Sequence, residues 1–132
     1  MITKKQKGQS AVEFALLVVV TIVMFLAMTQ FGLYLYGLDV VENAARNGAR
    51  AGSVAQSCPS CQAVSSARSA LSGLPVVYNP SVSILAPGGV AGSTVKIRVT
   101  AHIPLIIPGG FLFGLDKILN VSAEATFRQE GW

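Results

Sequence analysis

Residues 14–38 form an uncharged stretch of 25 residues, with a single acid, Glu13, at its mouth and Lys4, Lys5, Lys7 and Gly8 ahead of it. A run of 18 or more apolar residues almost free of charge is a membrane-helix candidate. A carboxylate facing hydrocarbon costs on the order of 2.5–3.5 kcal/mol even on lenient insertion scales, so Glu13 wants a partner. The lysines lie on one side of the run and no basic cluster follows it closely. That asymmetry puts the N-terminus in the cytoplasm and everything beyond Leu38 outside. A secretory peptide would carry an apolar core of roughly 7–15 residues ending at a small-x-small site. This core is longer and merges into a polar helix.

The excess apolar character is local. Of 132 residues 52% are hydrophobic and 12% charged, against roughly a quarter charged in an ordinary globule. Beyond residue 38 the chain looks like one small soluble module. The formal charge of +4 owes much to the leader, because removing its three lysines leaves seven basic against six acidic side chains. A nearly neutral remainder lacks the clustered Lys and Arg that phosphate binding needs, so a nucleic-acid partner is not expected.

Ser10 and Glu13 fit an S-x-x-E capping box, which predicts a helix starting at Gln9 or Ser10. Past the apolar run, Leu38, Val41, Ala45 and Ala49 repeat at helical spacing, with Glu42, Arg46 and Arg50 laddered on another face. One helix over 9–54 is predicted, about 65–70 Å long, with Gly32 and Gly37 as soft points. Ala44, Gly48 and Gly52 make a small-xxx-small stripe, open either to this chain's own sheet and second helix or to another subunit. After a turn at Cys58-Pro59-Ser60-Cys61, a shorter helix over 62–72 turns Ala63, Val64, Ala67, Ala70 and Leu71 inward and stops at Gly73. Strands are predicted at 81–86, 94–103 and 119–127, the last two alternating cleanly. The fold class is α+β: a long N-terminal helix, a short second helix, and a three- or four-stranded antiparallel sheet covered on one face.

The chemistry-bearing residues are few. As a capping acid Glu13 would serve only its own helix. Cutting after Gly8 would make Gln9 the first residue and Glu13 the fifth, and would create an α-amino group of reference pKa about 7.7–8.0. That cation and a neighbour's Glu13 could neutralise one another inside a membrane, setting the register of a stack. Cys58 and Cys61 lie on the external, oxidising side, where a disulfide is the default; metal binding and redox exchange are the weaker alternatives. His102 sits on the polar side of its strand. No nucleophile motif, phosphate loop or metal cluster is evident, so neither an enzyme nor a cofactor is expected. The apolar stretch over 105–115 is either a loop closing the sheet or a sticky patch. Pro87–Gly92 and Trp132 are candidate tip elements.

Lys7-Gly8-Gln9-Ser10-Ala11-Val12-Glu13-Phe14-Ala15-Leu16-Leu17, followed by Glu42-Asn43-Ala44-Ala45-Arg46-Asn47-Gly48-Ala49-Arg50-Ala51, resembles the TadE-like pilin and pseudopilin family of tight-adherence, type IV-like pili. The resemblance covers 7–52 well and is architectural beyond. It implies processing after Gly8 by a prepilin peptidase, Gln9 as the residue open to N-methylation, and assembly by an inner-membrane tight-adherence machine through Glu13 and Phe14. The expected organisation is a cytoplasmic leader at 1–8, a helix at 9–54 spanning the membrane with its first half, and an extracytoplasmic domain at 55–132. The expected partners are further copies or other pilins in an extracellular filament. A rival from another class is a permanent bitopic inner-membrane protein whose outer domain binds a partner.

Overall fold

The computed structural model describes residues 6–106 and 119–130. Their order is α1 (Gln6–Ser53), α2 (Pro59–Leu71), β1 (Tyr78–Pro87), β2 (Thr94–Ile103) and β3 (Leu119–Arg128). The strands pair antiparallel in the order β1-β2-β3. The α+β class read from the sequence is the one found, with three strands among the described residues. Lys4, Lys5, most of the 105–115 stretch and Trp132 lie outside those residues.

Helix α1 runs 48 residues without a proline, about 72 Å at 1.5 Å per residue. It starts earlier than the capping box predicts. A capping residue needs a non-helical backbone, and Ser10 is already helical. Amides near Glu13 therefore bond to carbonyls of the preceding turn, and the box does not open the helix. The helix passes unbroken through Gly32 and Gly37. Gly37 is a close approach: a Cβ there would stand 2.2 Å from Ile103 Cδ1.

Helix α2 also begins before its predicted start at Gln62. Cys58 is its N-cap, its sulfur accepting the Cys61 N–H, and Pro59 occupies the first turn. Proline is tolerated there because that N–H has no intrahelical partner anyway. The Cys-Pro-Ser-Cys segment, expected as a turn, is thus the opening of a helix. The helix stops at Leu71, and Gly73 follows with φ +77°.

Strand β2 is the spine. Val95, Ile97, Val99, Ala101 and Ile103 are fully or almost fully buried on one face. Beside them on the same face are Val121 and Ala125 of β3, and the helices cover that face with Val41, Ala44, Ala45 and Ala49 of α1 and Ala63, Ala67 and Leu71 of α2. Small side chains on the helices let β-branched ones from the sheet fill the gap between layers, as close packing demands. β1 is longer than its predicted 81–86. It takes in Pro80 behind a register shift between Tyr78 and Ser81, which an edge strand allows.

β2 descends α1 in the reverse direction. Would-be Cβ atoms on Gly52, Gly48 and Gly37 meet Val95, Ile97 and Ile103 in turn. The α/β head therefore grips only the C-terminal part of α1, and the N-terminal part projects from it.

Candidate anchoring and assembly site

The projecting part of α1 is apolar on every side. Val12, Phe14, Leu16, Leu17, Met24, Phe25, Met28 and Phe31 are all more than half exposed. A helix that is hydrophobic all round belongs inside a large core or a bilayer. By length and composition α1 is able to cross a membrane, and none of its most apolar window is buried against the rest of the chain. Its few polar side chains are quieted locally. Thr21 and Thr29 donate to the Leu17 and Phe25 carbonyls at 2.8 and 2.9 Å, which removes the cost of an unpaired hydroxyl in hydrocarbon.

Glu13 stands exposed near the N-terminal end of this surface, one residue before Phe14. It accepts a weak bond from Gln9 Nε2 one turn earlier, at 3.3 Å. No basic side chain forms an ion pair with it among the described residues. Gly8 lies in open space, so Gly8, Gln9, Glu13 and Phe14 share one free end of the helix.

The small-residue stripe lies elsewhere and faces inward. Ala44, Gly48 and Gly52 are buried. A Cβ on Gly48 would come within 2.5 Å of Ile97 Cδ1 and 2.7 Å of the Ala63 carbonyl oxygen; one on Gly52 would meet the Pro59 carbonyl oxygen and Val95 at 2.9 Å. These glycines let α2 and β2 of the same chain close onto α1.

Cys58 and Cys61 form a disulfide across the first turn of α2, with Cα atoms 5.3 Å apart. His102 pairs through Nδ1 with Asn120 Oδ1 at 2.5 Å, a cross-strand contact of the polar sheet face. On that face Glu124 receives Lys96 Nζ at 2.6 Å and Arg98 Nε at 2.7 Å. These donors, Lys96 first, hold its carboxyl below the ordinary carboxylate range.

Two glutamines matter that sequence reasoning passed over. Gln30 donates to the Pro104 carbonyl at 3.3 Å and accepts the Ile106 N–H at 2.8 Å. It thereby ties the chain beyond β2 to the point where α1 leaves the head. Its one sequence signal is an amide standing alone in an apolar run. Gln129 accepts from Gly89 N and Ser93 Oγ, and donates to the Ala55 carbonyl. It holds the β1–β2 loop at the opposite end, and no sequence signal marks it.

An exposed apolar helix carrying a small disulfide-clipped α/β head fits a membrane-anchored protein. Residues 8–50 match the family model described as TadE-like protein, the family that the motifs of α1 resemble; it is associated with tight-adherence pili. Comparison with curated proteins and with solved structures returns no match.

Proposed function

We propose that this protein is a non-catalytic subunit of a tight-adherence, type IV-like pilus or pseudopilus. It is held in the bacterial inner membrane by the first half of α1, with residues 1–8 as a cytoplasmic leader and residues 55–132 on the periplasmic side. A prepilin peptidase removes the leader after Gly8. The assembly machinery then draws the helix out of the bilayer into an extracellular filament made with other copies or other pilins. The observation that carries this is the free end of α1: an apolar surface whose one charge between residues 8 and 38 is Glu13, four residues beyond Gln9 and without a cationic partner among the described residues.

Before cleavage the amides of Gln9 to Val12 bond within the continuing helix. After it those of Ser10 to Val12 lose their acceptors, and the Gln9 nitrogen, now an ammonium, joins the positive end of the helix dipole. This end then suits a carboxylate, and a neighbour's Glu13 supplies one at a fixed axial offset. Lipid tails and neighbouring apolar helices are near-equal surroundings for Phe14, Leu17 or Phe25, so transfer from bilayer to filament core forfeits little. The disulfide fits the oxidising side of the membrane.

Intact mass of the membrane-extracted protein tests the processing step. Loss of residues 1–8 is the expected result. An uncut N-terminus in cells with an active peptidase contradicts it and favours a permanent membrane protein.

A further inference from the structure

The length of free helix and the position of Gln30 fit together. From Gln9 to Thr29 all side chains but Val23 and Leu26 are exposed, and among the described residues Gln30 is the first polar one engaged by the head. Those 21 residues span about 31 Å at 1.5 Å each, against roughly 30 Å of bilayer hydrocarbon. With Gln9 at the inner boundary, the outer boundary falls at Gln30. Tyr34 and Tyr36 then stand about 6–9 Å further out, in the headgroup layer, where such rings collect. Asp39, the next charge after Glu13, reaches water.

At the level of Gln30 the head presents Leu105 and Ile106, pinned there by both atoms of the Gln30 amide. Ile106 is 48% exposed. Its exposed apolar surface adjoins that of the free helix.

We propose that the head rests directly on the outer surface of the inner membrane, with Leu105 and Ile106 dipped into the lipid headgroup layer, and does not ride above it on a helical stalk. The inference rests on the membrane-anchored reading above. Its consequence is a depth stop. Since α1 is continuous, seating the head at Gln30 fixes the Gly8–Gln9 bond at the inner boundary, where a membrane peptidase can reach it, and places Glu13 about one turn inside the hydrocarbon. Gln30 is a positioning residue in this scheme.

The test uses the full chain, one copy per nanodisc of phosphatidylethanolamine and phosphatidylglycerol, spin-labelled singly at Phe25→Cys, Ile106→Cys or Val90→Cys. The native cysteines are in their disulfide and take no label. Val90 is 73% exposed at the far end of the head and serves as the water reference. The label at 106 is expected to be several-fold less accessible to a water-soluble nickel chelate than the label at 90, and the label at 25 less accessible still. In Gln30→Ala the accessibility at 106 should rise toward that at 90. Equal accessibility at 106 and 90, with 25 shielded, overturns the seated head and leaves the anchor standing. A label at 25 as accessible as that at 90 removes the anchor and the seat together. No change at 106 in Gln30→Ala overturns the role given to Gln30.

Discussion

A Cβ on Gly48 would stand 2.7 Å from the Ala63 carbonyl oxygen, whereas one on Gly32 would meet nothing within 4 Å. Glycine to alanine in a helix interior gains roughly 1 kcal/mol from propensity, while overpacking a closed site costs about 1–3 kcal/mol. Because the obstruction at Gly48 is partly backbone, it cannot swing aside. Gly48→Ala is therefore expected to lower the thermal midpoint of the detergent-solubilised protein, followed by circular dichroism, and Gly32→Ala to raise it or leave it unchanged. If Gly48 were kept free for another subunit, the isolated protein would not lose stability. Glu124 offers a pH test. Its folded carboxyl lies below the ordinary value of 4.5 because of Lys96 and then Arg98. The stability it adds is thus complete above that value and disappears as pH falls through the depressed one. The difference in urea midpoint between the native protein and Glu124→Gln should hold steady through the neutral range and shrink in acid. High salt should also reduce it, since these groups are exposed.

At the scale of elements, legibility followed periodicity. β2 begins and ends where its alternation does, and β3 runs one residue beyond its predicted end, because one face of each meets a helix layer and the other meets water. Local motifs misled where their meaning depends on neighbours outside the motif. Ser10 and Glu13 match a capping box, but the chain upstream is helical and leaves nothing to cap. Cys58-Pro59 reads as a turn until the helix behind it turns proline into a first-turn residue. β1 hides Pro80 because its outer edge needs no hydrogen bonds there. The disulfide at the opening of α2 closes a loop of sequence separation 3, for which chain entropy gives about 2 kcal/mol. Replacing both cysteines by serine keeps a hydroxyl cap at position 58 and removes only the covalent link. The unfolding free energy from urea titration should fall by about that amount with an unchanged m-value, and dithiothreitol should lower that of the native protein similarly while leaving the variant alone.

For the whole molecule, the division into a free apolar half-helix and a gripped half was legible from hydropathy alone. The boundary between them was not. It depends on Gln30 meeting Pro104 and Ile106 from 74 and 76 residues away, and an isolated amide carries no hint of so distant a partner. Glu13 is the opposite case, conspicuous in the sequence and, among the described residues, approached by a Gln9 amide and by no cation. Glu13→Gln should therefore leave folding, membrane insertion and cleavage after Gly8 intact while removing the one charge a neighbour's new amine would seek. The most direct measurement compares this variant with the native protein in sheared surface filaments and in membranes, with intact mass confirming that both are processed. The expected result is a processed variant that stays in the membrane and is lost from filaments; a variant recovered in filaments at the native level would contradict the pairing of Glu13 with its neighbour's N-terminus.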